Sequence, residues 1–161
     1  MAEKVVIGNA ELWHGDCREV LPLLPPVECV VTSPPYNQLE NLSVDKLSGI
    51  WAIKGKSGIS KGQFVDNGYS DGIDESEYVD EQCSLFSQIN VTDSASLFYN
   101  HQIRWRDGKV LHPIKWFDPD GWNLRQEIIW DRCGGMMMNA RMFCRFDERV
   151  LWFVRDSWVW N

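Results

Sequence analysis

The sequence predicts an α/β protein, because strand-like and helix-like segments alternate along it. Three observations carry that reading. The run Val27-Glu28-Cys29-Val30-Val31 is apolar without clean alternation, as expected of a strand buried on both faces. A helical stretch precedes it, starting after Asp16 and ended by Pro25-Pro26. A second helix starts at Asp74, where Glu77 suggests a capping box, and Tyr78, Val79, Cys83, Phe86 and Ile89 then recur at helical spacing.

The elements follow in order. Residues 11–14 read as a short strand, and Asp16 can cap a helix over 17–24. The strand 27–32 comes next. From 38 to 73 the chain is polar and rich in glycine, serine and lysine; a loop that long is usually functional or disordered. Asp71, Asp74, Glu75, Glu77, Asp80 and Glu81 read as the solvated start of the second helix. Residues 95–100 form a strand. Arg104, Trp105, Arg106 and Lys109 make the densest basic-aromatic stretch, which fits phosphate contact and a solvated loop equally. Residues 110–117 read as a helix with Pro113 in its first turn. Strands are expected at 125–130 and 149–154, and 157–160 reads as the stub of a further hairpin strand.

Composition bounds the function. The 161 residues fit one domain, and nine tryptophans are enough to fill a core or stack on bases. A formal net charge of -7 argues against tight unaided binding to nucleic acid, although a local basic strip would suffice for an enzyme. The five cysteines lack metal-ligand spacing and are odd in number, which suits a reduced, cytoplasmic protein. No signal peptide and no run of membrane-spanning length are seen. His14, His101 and His112 are scattered, so no metal site is expected. Met136-Met137-Met138 reads as a gap-filling or loop segment.

The most informative residues are Thr32-Ser33-Pro34-Pro35-Tyr36-Asn37. A strand that ends this way sets a hydroxyl, ring-locked carbonyls and a phenol ring at one sheet edge. Proline fixes φ, forces its predecessor toward extended backbone and removes an N–H, so the local backbone is biased toward acceptors. Such acceptors can bind an exocyclic amino group, and Tyr36 can stack on the ring that carries it.

This hexapeptide resembles the catalytic motif of the DNA amino-methyltransferases, which methylate cytosine N4 or adenine N6. Its serine form is commoner in the cytosine branch. Leu12-Trp13-His14-Gly15-Asp16-Cys17 with Arg18-Glu19-Val20-Leu21 resembles the family's strand, Gly-Asp and helix opening. Glu127-Ile128-Ile129-Trp130-Asp131-Arg132 and Phe146-Asp147-Glu148-Arg149-Val150-Leu151-Trp152-Phe153 resemble its later strands. Asn139-Ala140-Arg141-Met142-Phe143 resembles the phage and prophage versions, and the stretch 41–70 matches least.

The resemblance implies an incomplete Rossmann-like sheet with flanking helices, as one partial catalytic domain over 1–161 with a long polar loop at about 38–73. It implies a site-specific enzyme of restriction-modification type, S-adenosylmethionine as cofactor and DNA as partner. The catalytic residues would be Ser33, Pro34, Pro35 and Tyr36, acting on a base swung out of the duplex. Asp16 and Thr32 would touch the cofactor, Asp16 by accepting from its adenine; plain helix capping by Asp16 stands beside that role. The polar loop would cover the target base, or it is a surface insertion. Trp130, Trp152 and Trp158 are assigned to core packing. No Pro-Cys pair is present, which argues against the cysteine-dependent C5 route.

One departure stands out. The family's cofactor loop, Asp-Pro-Phe-x-Gly-Ser-Gly, is not found in the 161 residues. Gly55/Gly58, Gly68/Gly72 and Gly134-Gly135 do not follow a buried strand and open a helix. By analogy, the strands that separate the 11–14 strand from the catalytic strand are missing too. The first strand should then lack a neighbour in the sheet, and a second chain or a C-terminal segment should carry the glycine loop. The alternative is a non-catalytic remnant or subunit that binds cofactor only with a partner.

Overall fold

The computed structural model describes residues 2–37, 72–106, 108–133 and 147–160. The expectations for most of the 38–73 loop, for Met136-Met137-Met138 and for 139–143 lie outside them. The chain divides into two compact units, Met1–Pro34 with Glu81–Asn161, and Pro35–Asp80.

In the larger unit, β1 (Glu3–Ile7) and β2 (Ala10–His14) form an antiparallel hairpin. Gly8, at φ 60, makes its turn. Helix α1 (Cys17–Val20) follows, continued by a 3-10 turn at Leu21–Leu23, and the chain leaves it through Pro25-Pro26. Next come β3 (Val27–Thr32), helix α2 (Glu75–Ser87), whose residues up to Asp80 belong to the smaller unit, β4 (Val91–His101), the small hairpin β5 (Arg104–Arg106) and β6 (Lys109–Leu111), β7 (Asn123–Asp131) and β8 (Asp147–Val154).

One four-stranded sheet has the order β3-β4-β8-β7. β3 runs parallel to β4 with Val30 opposite Leu97 and Thr32 opposite Tyr99. β8 is antiparallel to both its neighbours, with Leu151 opposite Tyr99 on one side and Glu127 on the other. The mixture of parallel and antiparallel pairs with helices in the connections is the α/β class the alternation predicts.

The core lies on one face of this sheet. Ala95, Leu97, Tyr99 and His101 alternate inward along β4, the period-2 signature of a strand. Leu151 and Phe153 join them from β8. Phe86 of α2, Phe117 and Trp122 close the cluster. Tyr99 stacks on Phe117 at 3.6 Å between centroids, while Phe86 meets Tyr99 edge-on at 5.2 Å. The buried polar atoms in this cluster find partners: the Trp122 indole N–H donates to the Phe86 carbonyl at 3.0 Å, and the Tyr99 hydroxyl to Gln82 Oε1 at 3.0 Å. Tyr99→Phe would leave the Gln82 oxygen without that donor in the core. It should lower unfolding free energy by about 1–2 kcal/mol, read by urea denaturation.

Several expectations are corrected. β3 is not buried on both faces: Val31 is 77% exposed and Cys29, on the same face, is exposed too, and among the described residues β3 is an edge strand paired with β4. Residues 110–117 are not a helix. Lys109–Leu111 pairs with Arg104–Arg106, and only a 3-10 turn at Pro113–Lys115 follows, capped by His112 Nδ1. Gly108, at φ 73, lets the chain reverse there. Residues 157–160 form no strand. Trp130 is 55% exposed, since it alternates to the face opposite the core. Trp152 and Trp158 are half-buried and also lie outside the core cluster: Trp152 stacks on Phe98 at 5.7 Å on the face opposite the core, and Trp158 meets it edge-on at 5.2 Å. In the basic-aromatic stretch, Arg104 is neither solvated nor at the surface. It is buried, with its guanidinium over the Trp116 ring at 5.2 Å.

The sequence reading also lacks β1. The dipeptide Gly8-Asn9 between two strand-like runs is the hairpin signal that finds it. β2 thus has a hairpin partner, yet among the described residues it joins no strand of the four-stranded sheet. No helix among the described residues is long and apolar enough to cross a membrane.

Candidate functional site

In α/β sheets, ligands bind beyond the carboxyl ends of parallel strands. β3 and β4 supply such ends side by side, with Thr32 in register with Tyr99. Thr32 and Pro34 are half-buried and Ser33 is exposed. The chain stays extended and non-helical after Thr32, as the paired prolines require.

The same rim carries charges that the sequence reading did not single out. β8 begins there, because its Arg149 lies opposite His101, the last residue of β4. β7 ends there, with Asp131 opposite Asp147. Arg149 reaches Asp147 Oδ2 at 2.8 Å and Glu127 Oε1 at 3.5 Å. His112 Nε2 lies 3.1 Å from the same Glu127 oxygen. The backbone N–H of Ile114 donates to His112 Nδ1 at 3.3 Å. Glu148 accepts from Asn100 Nδ2 at 2.8 Å and pairs with Arg132 at 2.7 Å. This network ties the ends of β4, β7 and β8 together through side chains. Its sequence signal is the set of charged residues, Glu127, Glu148 and Arg149, placed inside apolar strand runs.

His101 is fully buried at this end of β4, stacked on Tyr99 at 5.7 Å and edge-on to Trp116 at 5.0 Å. Its Nδ1 lies 2.7 Å from the Gln102 carbonyl, which only accepts, so Nδ1 carries the proton. Burial pushes the imidazole down to about 3, the Gln102 carbonyl opposes that shift and the nearby Arg104 charge adds to it. His101 is therefore a neutral core residue at physiological pH.

Asp16 precedes α1. Its Oδ1 accepts from the Arg18 backbone N–H at 2.9 Å, the helix cap predicted as one of its two roles. Its oxygens also receive the Arg18 guanidinium, at 2.7 Å for the Nη2 bond. Hydrogen bonds from the Arg18 side chain, then from its backbone, hold this carboxyl down to about 2.

The smaller unit carries Pro35, which is exposed, and Tyr36, which is half-buried. Asn37 is buried at φ 53. Its amide makes paired bonds with Ile73: Oδ1 accepts from the Ile73 N–H at 2.9 Å and Nδ2 donates to the Ile73 carbonyl at 3.0 Å. The Tyr78 hydroxyl donates to the Pro35 carbonyl at 2.5 Å. Of the ring-locked carbonyls, that of Pro35 is thus engaged within the protein. The sequence reading assigned Tyr78 to a helical stripe and gave Asn37 no role of its own.

The start of α2 is firmly capped. Asp74 Oδ1 accepts from the Ser76 N–H at 2.8 Å and from the Ser76 hydroxyl at 2.5 Å, and the Tyr78 N–H donates to the Asp74 carbonyl at 2.9 Å. The cap partner is Ser76 rather than the Glu77 of a capping box.

Residues 27–161 match a family of DNA methylases that act at N6 or N4. The chain belongs to this DNA methylase family. The matched region starts with β3, so it contains Thr32 to Tyr36 and leaves out Asp16. Among curated proteins, none matches the chain. Solved structures that it resembles include M1.HpyAVI in complex with SAM, at 15% identity and a TM-score of 0.49, covering 91% of this chain and 55% of that one. M1.HpyAVI without that label is similar at 15% identity and a TM-score of 0.48, covering 91% of this chain and 56% of the other. This chain therefore spans about half the length of those proteins.

Proposed function

We propose that this chain transfers a methyl group from S-adenosylmethionine to the exocyclic amine of a base extruded from DNA, cytosine N4 ahead of adenine N6. The observation that carries the reading is the Thr32-Ser33-Pro34-Pro35-Tyr36 sequence at the carboxyl end of β3, inside the region that matches the DNA methylases. An exocyclic amine is a poor nucleophile, because its lone pair is delocalised into the ring. Ser33 Oγ and the Pro34 carbonyl accept its N–H bonds, which favours a pyramidal nitrogen with a usable lone pair. The Pro35 carbonyl is not in that set, since Tyr78 holds it. Tyr36 stacks on the base.

S-adenosylmethionine supplies an electrophilic methyl on a sulfonium. The nitrogen lone pair forms the new N–C bond as the S–C bond breaks, and its electrons stay on the sulfur as a thioether. The nitrogen then loses a proton to solvent. In-line placement of nitrogen, carbon and sulfur supplies much of the rate, and no covalent bond to the enzyme forms. Asp16 is an ionised acceptor that suits the adenine amine of the cofactor, provided it shares its oxygens with Arg18; Thr32 lies at the end of the catalytic strand. The described residues include no glycine loop after a strand, so we assign the rest of the cofactor site to a further segment or a second chain. We place the protein in the cytoplasm, with DNA as its partner.

The test is direct. Protein isolated from cells that make it is incubated with methyl-labelled S-adenosylmethionine and duplex DNA, and the digested nucleosides are separated. Label in N4-methylcytosine is expected. Ser33→Asp should change the transfer rate while keeping base capture. If no label moves and calorimetry finds no cofactor binding, the chain is instead a non-catalytic remnant or a subunit that needs a partner chain to bind cofactor.

A further inference from the structure

We propose that Asn37 and Tyr78 are positioning residues for Tyr36, fixing the backbone on both sides of it so that its ring stays set to stack on a base. This rests on the reading of Tyr36 as the stacking residue.

Within the Pro35–Asp80 unit, Tyr36 lies between two anchored neighbours. The Pro35 carbonyl belongs to the same peptide plane as the Tyr36 N–H, and the buried Tyr78 hydroxyl holds it. That plane limits the φ of Tyr36. On the other side, Asn37 is 2% exposed and its amide grips both backbone groups of Ile73. The amide acts as a strand neighbour would, with one donor and one acceptor for one residue. It also holds Asn37 at φ 53, a left-handed conformation that asparagine tolerates better than most residues. That lock limits the ψ of Tyr36.

Both anchors lead to one rigid place. Ile73 and Tyr78 flank Asp74, whose side chain caps α2 and whose carbonyl accepts from the Tyr78 N–H. With both flanking peptide planes tied to a capped helix start, the Tyr36 ring keeps only its side-chain torsions. A stacking surface fixed in advance avoids the entropy of ordering it when the base arrives.

Three variants separate positioning from folding. Asn37→Gly keeps the left-handed backbone and removes the amide. Asn37→Asp keeps the acceptor for the Ile73 N–H and loses the donor. Tyr78→Phe removes only the hydroxyl. Each is assayed for DNA methylation beside wild type and Tyr36→Ala, and each carries 3-fluorotyrosine at position 36 for fluorine NMR. For Asn37→Gly we expect kcat/KM for DNA about 10-fold lower, no more than the loss in Tyr36→Ala, with the KM for S-adenosylmethionine unchanged. Asn37→Asp should fall between it and wild type. The fluorine signal, one sharp line in wild type, should broaden or split in Asn37→Gly and Tyr78→Phe.

A wild-type line and wild-type kcat/KM in Asn37→Gly and Tyr78→Phe, with Tyr36→Ala impaired, would overturn the positioning role alone. A lower melting temperature with unchanged turnover per folded molecule would do the same. Full methylation by Tyr36→Ala would instead overturn the stacking reading, and the positioning role with it.

Discussion

Replacing Tyr36 with alanine will lower kcat/KM for DNA methylation by roughly 10- to 100-fold and leave S-adenosylmethionine affinity unaltered. The magnitude follows from base–aromatic stacking, worth about 1–3 kcal/mol per base. The split between substrates follows from chemistry. A phenol ring offers a flat face to a base, whereas the proposed cofactor contacts lie at Asp16 and Thr32. Tyr36→Phe keeps that face and should keep most of the activity. A duplex with 2-aminopurine at the target position reports extrusion by its fluorescence, which should rise with wild type and much less with the alanine variant. Methylation unimpaired in Tyr36→Ala would remove Tyr36 from the site.

The second large effect concerns stability against pH. His101 is neutral in the fold, and its imidazole is pushed from 6.5 down to about 3. Below pH 6.5 the unfolded chain takes up a proton on this group and the folded chain does not. The unfolded state then binds more protons, so stability falls as pH falls, by about 1.4 kcal/mol per pH unit. The loss starts near pH 6.5 and ends near pH 3, where the folded state protonates as well. Above the upper limit the group contributes nothing to the slope. His101→Asn puts an amide N–H near the position of Nδ1 and cannot titrate. Urea denaturation of both proteins at pH 7.5, 6 and 5 should show the wild type losing stability faster. Parallel profiles would mean that His101 is protonated in the fold.

Asp16 behaves in the opposite sense and lower on the pH scale. Its folded carboxyl lies at about 2, held there by Arg18. Its favourable interaction is present above its unfolded value near 3.8 and is lost as pH falls toward about 2. Between pH 6.5 and 5 Asp16 contributes no slope, so the difference between wild type and His101→Asn there is not its doing.

The motif was legible because its meaning is local. Proline's ring restricts φ wherever it occurs, so Pro34 and Pro35 announce an extended, acceptor-rich segment before any fold is known. β3 was read from its apolar run at the bounds the structure has, and the helix begun by Asp74 from its spacing. Hairpins were harder. β5 and β6 are short, and their pairing depends on Gly108 at positive φ, so the run after Lys109 looked helical. Trp130 and Arg104 exchanged their expected places, because the face of a strand and the lid over a cation are set by neighbours distant in sequence.

By itself the sequence determined the α/β class and the order of most elements, since torsional limits and hydrophobic periodicity act over a few residues, and it proposed the tetrad Ser33, Pro34, Pro35 and Tyr36 through its resemblance to the family's motif. The tertiary structure alone decided that β3 lies at an edge among the described strands, that His101 is buried and neutral, that Arg149 meets Glu127 while Glu148 meets Asn100 and Arg132, and that Asn37 and Tyr78 grip the chain around Tyr36. Those facts are contacts between residues far apart in the chain. They exist only once folding has brought the partners within hydrogen-bonding distance.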